Sequence, residues 1–191
     1  NSVDELIALA RKSADKPLTY GSVGIGSLYH LILENVQAQT GIKLAHVPYK
    51  GNAPLLQDIG GGQVDFAVLV YSAAMGALAE QGKMKVIGQL GAQRSELLKN
   101  LPTASEGQAL KNFSYKIWTG FMVPKSTPED VVNRLHAAIG KTLQSPEVRA
   151  QLAAQTQVAS APMTLAESAK FFEAETARYR AIAKQINLQP Q

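Results

Sequence analysis

The sequence predicts an α/β protein built on an open, mostly parallel sheet, with binding loops at the carboxyl ends of its strands. Three observations carry that prediction. Strand-like and helix-like patterns alternate between Leu18 and Leu90, the order expected when helices cover a parallel sheet. The run Val64 to Val70 is nearly all apolar, as for a strand buried on both faces. Finally, Leu18-Thr19-Tyr20-Gly21-Ser22-Val23-Gly24-Ile25-Gly26-Ser27 reads as a short strand that ends in a glycine-spaced loop and passes straight into a helix.

Each element has its own local signal. Ser2 followed by Glu5 reads as a capping box opening an amphipathic helix from Val3 to about Ser13, which Lys16-Pro17 ends. After the glycine loop, Leu28, Leu31, Ile32 and Val36 share one face of a helix that Thr40-Gly41 stops. Lys43 to Pro48 reads as the next strand, Tyr49-Lys50-Gly51-Asn52 as a loop, and Pro54 to Ile59 as a short helix closed by Gly60-Gly61-Gly62. The apolar strand Val64 to Val70 runs into Tyr71-Ser72, an alanine-rich helix follows to about Gln81, and Met84 to Leu90 makes a further strand. Ala92 to Phe113 is irregular. Tyr115 to Val123 reads as a strand carrying Trp118 and Gly120. Three amphipathic helices then open at Thr127-Pro128-Glu129-Asp130, Ser145-Pro146-Glu147 and Thr164-Leu165-Ala166-Glu167, each with a hydroxyl at the cap and an acid in the first turn.

Composition narrows the function. At 191 residues, 46% hydrophobic and 18% charged, the chain suits one sizeable domain or two small lobes. Its net charge of +4 is spread over scattered Lys and Arg residues, which argues against a nucleic-acid surface. The absence of cysteine excludes disulfides and thiolate metal sites. His46 and His136 have no acids or histidines at ligand spacing, so neither a metal nor a cofactor is expected. The apolar stretches are too short to cross a bilayer. Because the chain opens on Asn1-Ser2-Val3 without methionine, it reads as processed or truncated.

The loop at 21–27 suits an anion. Glycines let the backbone approach a guest closely, and a helix start carries unsatisfied N–H groups and partial positive charge. Ser22 and Ser27 add hydroxyls there. A dinucleotide loop would need a third glycine where Tyr29 stands, and a phosphate-binding P-loop would need a following Lys-Ser/Thr. A strand-to-helix turn without a ligand is the competing reading from spacing alone. The candidate ligand-binding set is Ser22, Val23, Gly24, Gly26 and Ser27, joined at the other two strand ends by Tyr49 and Lys50 and by Tyr71 and Ser72. Lys50 suits either a second carboxylate or plain solvation. His30 reads as a hydrogen-bonder beneath the loop, and Asp65 as a local cap. Ser27 and His30 lack an oriented acid, and no Gly-x-Ser-x-Gly elbow is present, so catalysis is not expected.

An ordered set of phrases adds to this reading. Asp4-Glu5-Leu6-Ile7-Ala8, Tyr20-Gly21-Ser22-x-Gly24-x-Gly26-Ser27-x-x-His30-Leu31 and His46-Val47-Pro48-Tyr49-Lys50-Gly51 come first. Asp58-Ile59-x-x-Gly62-Gln63-Val64-Asp65, Leu101-Pro102-Thr103-x-x-Glu106, Trp118-x-Gly120 and Pro124-x-x-Thr127-Pro128 follow. Together they resemble the Bug receptors, the extracytoplasmic solute-binding components of tripartite tricarboxylate transporters. The resemblance implies a periplasmic-binding-protein-like fold of type II topology, incomplete here because the family's amino-terminal portion is absent. It implies that residues 1–117 form most of lobe two, and that 118–191 return to lobe one as a strand and helices. It further implies a periplasmic location, a small carboxylate solute and membrane permease subunits as partners. A lone lobe with uncovered apolar faces leads us to expect a domain-swapped or intertwined homo-oligomer. The alternative is the effector-binding domain of a LysR-type transcriptional regulator, which shares the fold and requires a DNA-binding helix pair upstream.

Overall fold

The computed structural model describes residues 1–154 and 157–186. Helix α1 (Val3–Lys12) begins where Ser2 Oγ accepts the Glu5 amide at 3.1 Å, the bond its sequence signature calls for. Asp4, in its first turn, accepts the amides of Gln108 at 2.8 Å and Ala109 at 3.1 Å. Those two bonds hold the Asp4 carboxyl below its ordinary range and tie α1 to a distant loop.

Three strands form one parallel sheet in the order β2-β1-β3. They are β1 (Leu18–Ser22), β2 (Leu44–Pro48) and β3 (Phe66–Ala67). The register runs from Leu18↔Leu44 to Ser22↔Pro48 on one side and places Tyr20 opposite Phe66 on the other. Parallel neighbours need crossovers, and helices α2 (Leu28–Thr40) and α3 (Asn52–Gly60) supply them. Helix α4 (Ala73–Glu80) follows β3. Gly41 ends α2 in the left-handed conformation at φ +69°, where a side chain would be strained. Tyr20, Leu31, Ile32, Leu33, Val36, Leu55, Val64 and Met75 are buried between these elements. Thr19 donates its amide and hydroxyl to Asp65 Oδ2 at 2.7 and 2.8 Å, clasping the start of β3 to β1.

Three expected strands differ from the observed chain. Val64 to Val70 pairs only at Phe66–Ala67. Met84 to Leu90 makes a single isolated parallel bridge, Gln89↔Thr103. Tyr115 to Val123 forms no strand. A strand exists only where a neighbour accepts its backbone ladder, so an apolar run alone does not create one. Residues 84–90 meet a loop instead: Gln89 donates to Pro102 O and accepts from the Ala104 amide, and the Tyr115 amide reaches Leu90 O.

The chain divides into two compact units. One holds Asn1–Ile117 with the described residues from Ala181 on, and contains the sheet; the other is Trp118–Arg180. In the second unit, α5 (Glu129–Gln144) starts one residue later than its cap signal suggests, with Pro128 at the cap position. The Thr127 amide is committed to Pro124 O in the preceding turn at 3.0 Å, and no side chain caps the helix. Ser145 caps α6 (Pro146–Ala154) through the Val148 amide. Thr164 and Glu167 close a reciprocal capping box at α7 (Leu165–Gln185). Neither α5 nor α6 has a buried residue. Trp118 packs edge-on against Phe171 and Phe172 and donates its indole N–H to Glu175 at 3.2 Å.

Candidate functional site

The parallel order brings the carboxyl ends of all three strands to one edge of the sheet, with β1 and its glycine loop in the middle. Loop and helix start are built by mutual satisfaction. Ser27 caps α2 by accepting the His30 amide at 3.3 Å, and its own amide donates to Gly24 O at 3.2 Å. The Gly26 amide donates to His30 Nδ1 at 3.1 Å. Gly24 and Gly26 lie at φ +126° and +77°, so the loop's path relies on glycine at both positions.

Ser22 is fully buried, and its hydroxyl turns inward. Oγ lies 3.0 Å from Gly24 O, accepts the Gly24 amide at 3.2 Å and meets His46 Nε2 at 2.7 Å. Its role is thus to shape the loop from beneath. Ser27 and His30 do not bond side chain to side chain: the hydroxyl caps the helix while the imidazole holds Gly26.

What the loop leaves open is a set of main-chain donors. Among the described residues, the amides of Gly24, Gly26 and Ser27 and the first capped amide of α2 are spoken for. The amides of Val23, Ile25, Leu28 and Tyr29 meet no acceptor among the described residues. Val23 and Tyr29 line a solvent-open hollow of about 420 Å³ together with Lys50, Gly51 and Asn52. Lys50 is exposed, placing a positive charge beside a helix start that already favours anions.

The expected site residues are therefore distributed unevenly. Val23 and Lys50 border the hollow, and Gly24, Gly26 and Ser27 form the turn next to it. Tyr49 sits at the end of β2, but its hydroxyl donates to Asp58 at 2.7 Å. Burial and that carboxylate push its phenol up to about 12. Tyr71 and Ser72 stand after β3, where Ser72 caps α4 through the Met75 amide at 3.4 Å; neither lines the hollow. Three lining residues, Tyr29, Gly51 and Asn52, were not singled out from sequence. For Tyr29 a signal existed, because the second position of a helix has a free amide. Among the described residues no cluster of His, Cys, Asp or Glu could hold a metal ion, and no helix is long and apolar enough to cross a membrane.

The geometry has counterparts among known proteins. The UPF0065 protein in the tcbD-tcbE intergenic region of a Pseudomonas species is 32% identical over 97% of this chain and 54% of its own length. The protein BugT of Bordetella pertussis is 30% identical over 81% of this chain and 47% of its own. R. palustris Rpa4515 with adipate superposes over all of this chain and 62% of its own, with a TM-score of 0.83 at 29% identity. The periplasmic binding protein BugD covers 100% of this chain and 63% of its own, with a TM-score of 0.78 at 25% identity. The fold is accordingly that of an α/β periplasmic binding protein, and the chain spans about half the length of the curated relatives it matches. The sequence pattern of the tripartite tricarboxylate transporter family receptors, TctC, matches residues 1–188. With a match along nearly its whole length, the chain belongs to that receptor family.

Proposed function

We propose that this chain forms the part of a periplasmic receptor that grips a carboxylate group of a small organic acid, for delivery to the permease subunits of a tripartite tricarboxylate transporter. The observation that carries the reading is the set of uncommitted amides at Val23, Ile25, Leu28 and Tyr29, of which Val23 and Tyr29 belong to residues lining the hollow that Lys50 borders. A carboxylate accepts several hydrogen bonds at once, and each charge-assisted bond contributes about 1.5–3 kcal/mol. Lys50 adds a point charge for a second acidic group. The adipate in the superposed R. palustris protein is a ligand of this chemical class, and the family match supplies the transport context. The chain acts as a binder with no reaction of its own.

The experiment is an amide NMR titration of the 191-residue chain with adipate, malate and citrate at neutral pH. The expected result is saturable shifts at Val23, Ile25, Leu28 and Tyr29 for at least one acid, weakened by Lys50→Gln. Shifts confined to other parts of the chain, or none at millimolar acid, would overturn the assignment.

A further inference from the structure

The imidazoles of His30 and His46 lie face to face, their centroids 4.2 Å apart and their planes 12° from parallel. Tyr20 also stacks on His46, at 4.8 Å and 17°. This aromatic cluster sits directly beneath the glycine loop, and each histidine restrains one glycine of it. His30 does so directly, through Nδ1 and the Gly26 amide. His46 does so through Ser22, whose Oγ bonds both Gly24 N and Gly24 O.

The hydrogen bonds fix the tautomer of His30. Gly26 N–H can only donate, so His30 Nδ1 must carry a lone pair and the ring proton resides on Nε2. The Ser22 hydroxyl carries one proton for two acceptors, Gly24 O at 3.0 Å and His46 Nε2 at 2.7 Å, so His46 Nε2 donates to Oγ when that proton goes to Gly24 O and accepts it otherwise. The His30 ring is neutral in this arrangement. A second proton on His30 would land on Nδ1 and set one N–H against another.

We propose that His30 is a proton-operated latch on the glycine loop, closed when the imidazole is neutral and opened when Nδ1 protonates and Gly26 loses its acceptor. The titratable groups facing His30 are His46 from β2, on whose ring Tyr20 from β1 stacks in turn, and Glu34 one turn further along α2. Glu34 Oε1 stands 3.8 Å from His30 Nε2 and already accepts from the Tyr20 hydroxyl at 2.6 Å and from Gln37 at 2.7 Å. It would partner an imidazolium at Nε2 but does nothing for the lost Nδ1 contact. Burial lowers the pKa of His30 against a smaller opposing pull from Glu34. For His46, burial acts first and the neighbouring His30 adds to it. The latch therefore opens on the acid side of the ordinary imidazole value of 6.5. Its consequence, weaker carboxylate binding in acid, rests on the function proposed above; the latch itself does not.

The test uses the ligand-free chain. NMR would follow the His30 ring and the exchange protection of the Gly26 amide, corrected for intrinsic rate, between pH 7.5 and the onset of acid unfolding. The expected result is a loss of about tenfold or more in Gly26 protection, with the same midpoint as the His30 ring and below 6.5. In His30→Asn the amide oxygen takes the place of Nδ1 and cannot titrate, so protection should stay flat. Protection that is indifferent to His30 protonation, or that falls equally in His30→Asn, overturns the latch. Should that variant not fold, the coincidence or separation of the two wild-type midpoints decides alone. A parallel calorimetric titration with adipate separates the two ideas. Failure to bind at any pH would sink the proposed function and leave the latch to the exchange data. Binding with the same pH dependence in wild type and His30→Asn would show the latch does not govern affinity.

Discussion

Gly21→Ala is the sharpest test of how β1 supports the loop. A methyl group built at Gly21 would stand 2.1 Å from Leu55 Cδ1 and 3.3 Å from both Leu55 Cγ and Tyr49 Cε2. Carbon atoms at rest sit about 3.5–4.0 Å apart, so the nearest contact falls short by more than an ångström. Leu55 has no exposed surface into which it could swing. Overpacking of this kind costs about 1–3 kcal/mol, which at ~2–4 °C per kcal/mol for a chain of this size lowers the Tm by about 2–12 °C. Thermal melts followed by circular dichroism would measure the Tm, and urea denaturation the free energy. Leu55→Ala alone should cost about 2–5 kcal/mol through the cavity it leaves. In the double variant the new methyl enters that cavity, so the combined loss should fall short of the sum by ~0.5 kcal/mol or more. Strict additivity, or an unchanged Tm for Gly21→Ala, would refute the steric argument.

Two further expectations address other parts of the molecule. Arg94 and the Thr103 amide hold the Glu106 carboxyl down to about 2 from an ordinary 4.5. A depressed carboxyl stabilises the fold above its unfolded value, and that stability is lost as pH falls from 4.5 toward 2. Glu106→Gln should therefore flatten the acid limb of a pH–Tm profile over that window, and an unaltered limb would count against the pairing. In the second unit Phe121, Met122 and Val158 are 79%, 67% and 87% exposed, which supports the expectation that the chain self-associates. Light scattering after size exclusion should find dimers or larger species that Phe121→Glu with Met122→Glu shifts toward monomer; a monomeric wild type at tens of micromolar would end that expectation.

Local chemistry was legible in the sequence where it depends on near neighbours. Ser2 before α1, Gly41 after α2 and the Thr164–Glu167 box all lie within four residues of the groups they satisfy. The glycine loop was legible for the same reason, and so was the part His30 plays under it. Strands were less so. Apolar runs at 64–70, 84–90 and 115–123 carry the right residues, but only a partnering strand from elsewhere turns such a run into a strand; Phe66–Ala67 meets one, whereas Gln89 meets a loop at a single bridge. The inward turn of Ser22 was hidden for a related reason: its partner His46 arrives on β2, twenty-four residues away. Asn52 and Gly51 become neighbours of Val23 only once the sheet is assembled.

The position of β1 between its two parallel partners has a consequence for how the protein is made. β1 leaves the ribosome before either neighbour, and its clasp to Asp65 spans forty-six residues. Until α2, β2 and α3 have followed, both flanks of that nascent segment stay open, including the glycine-rich stretch at its end. Parallel pairing of this range is slow to nucleate, so β1 is the strand most exposed to wrong pairing until the segment up to Ala67 has folded onto it.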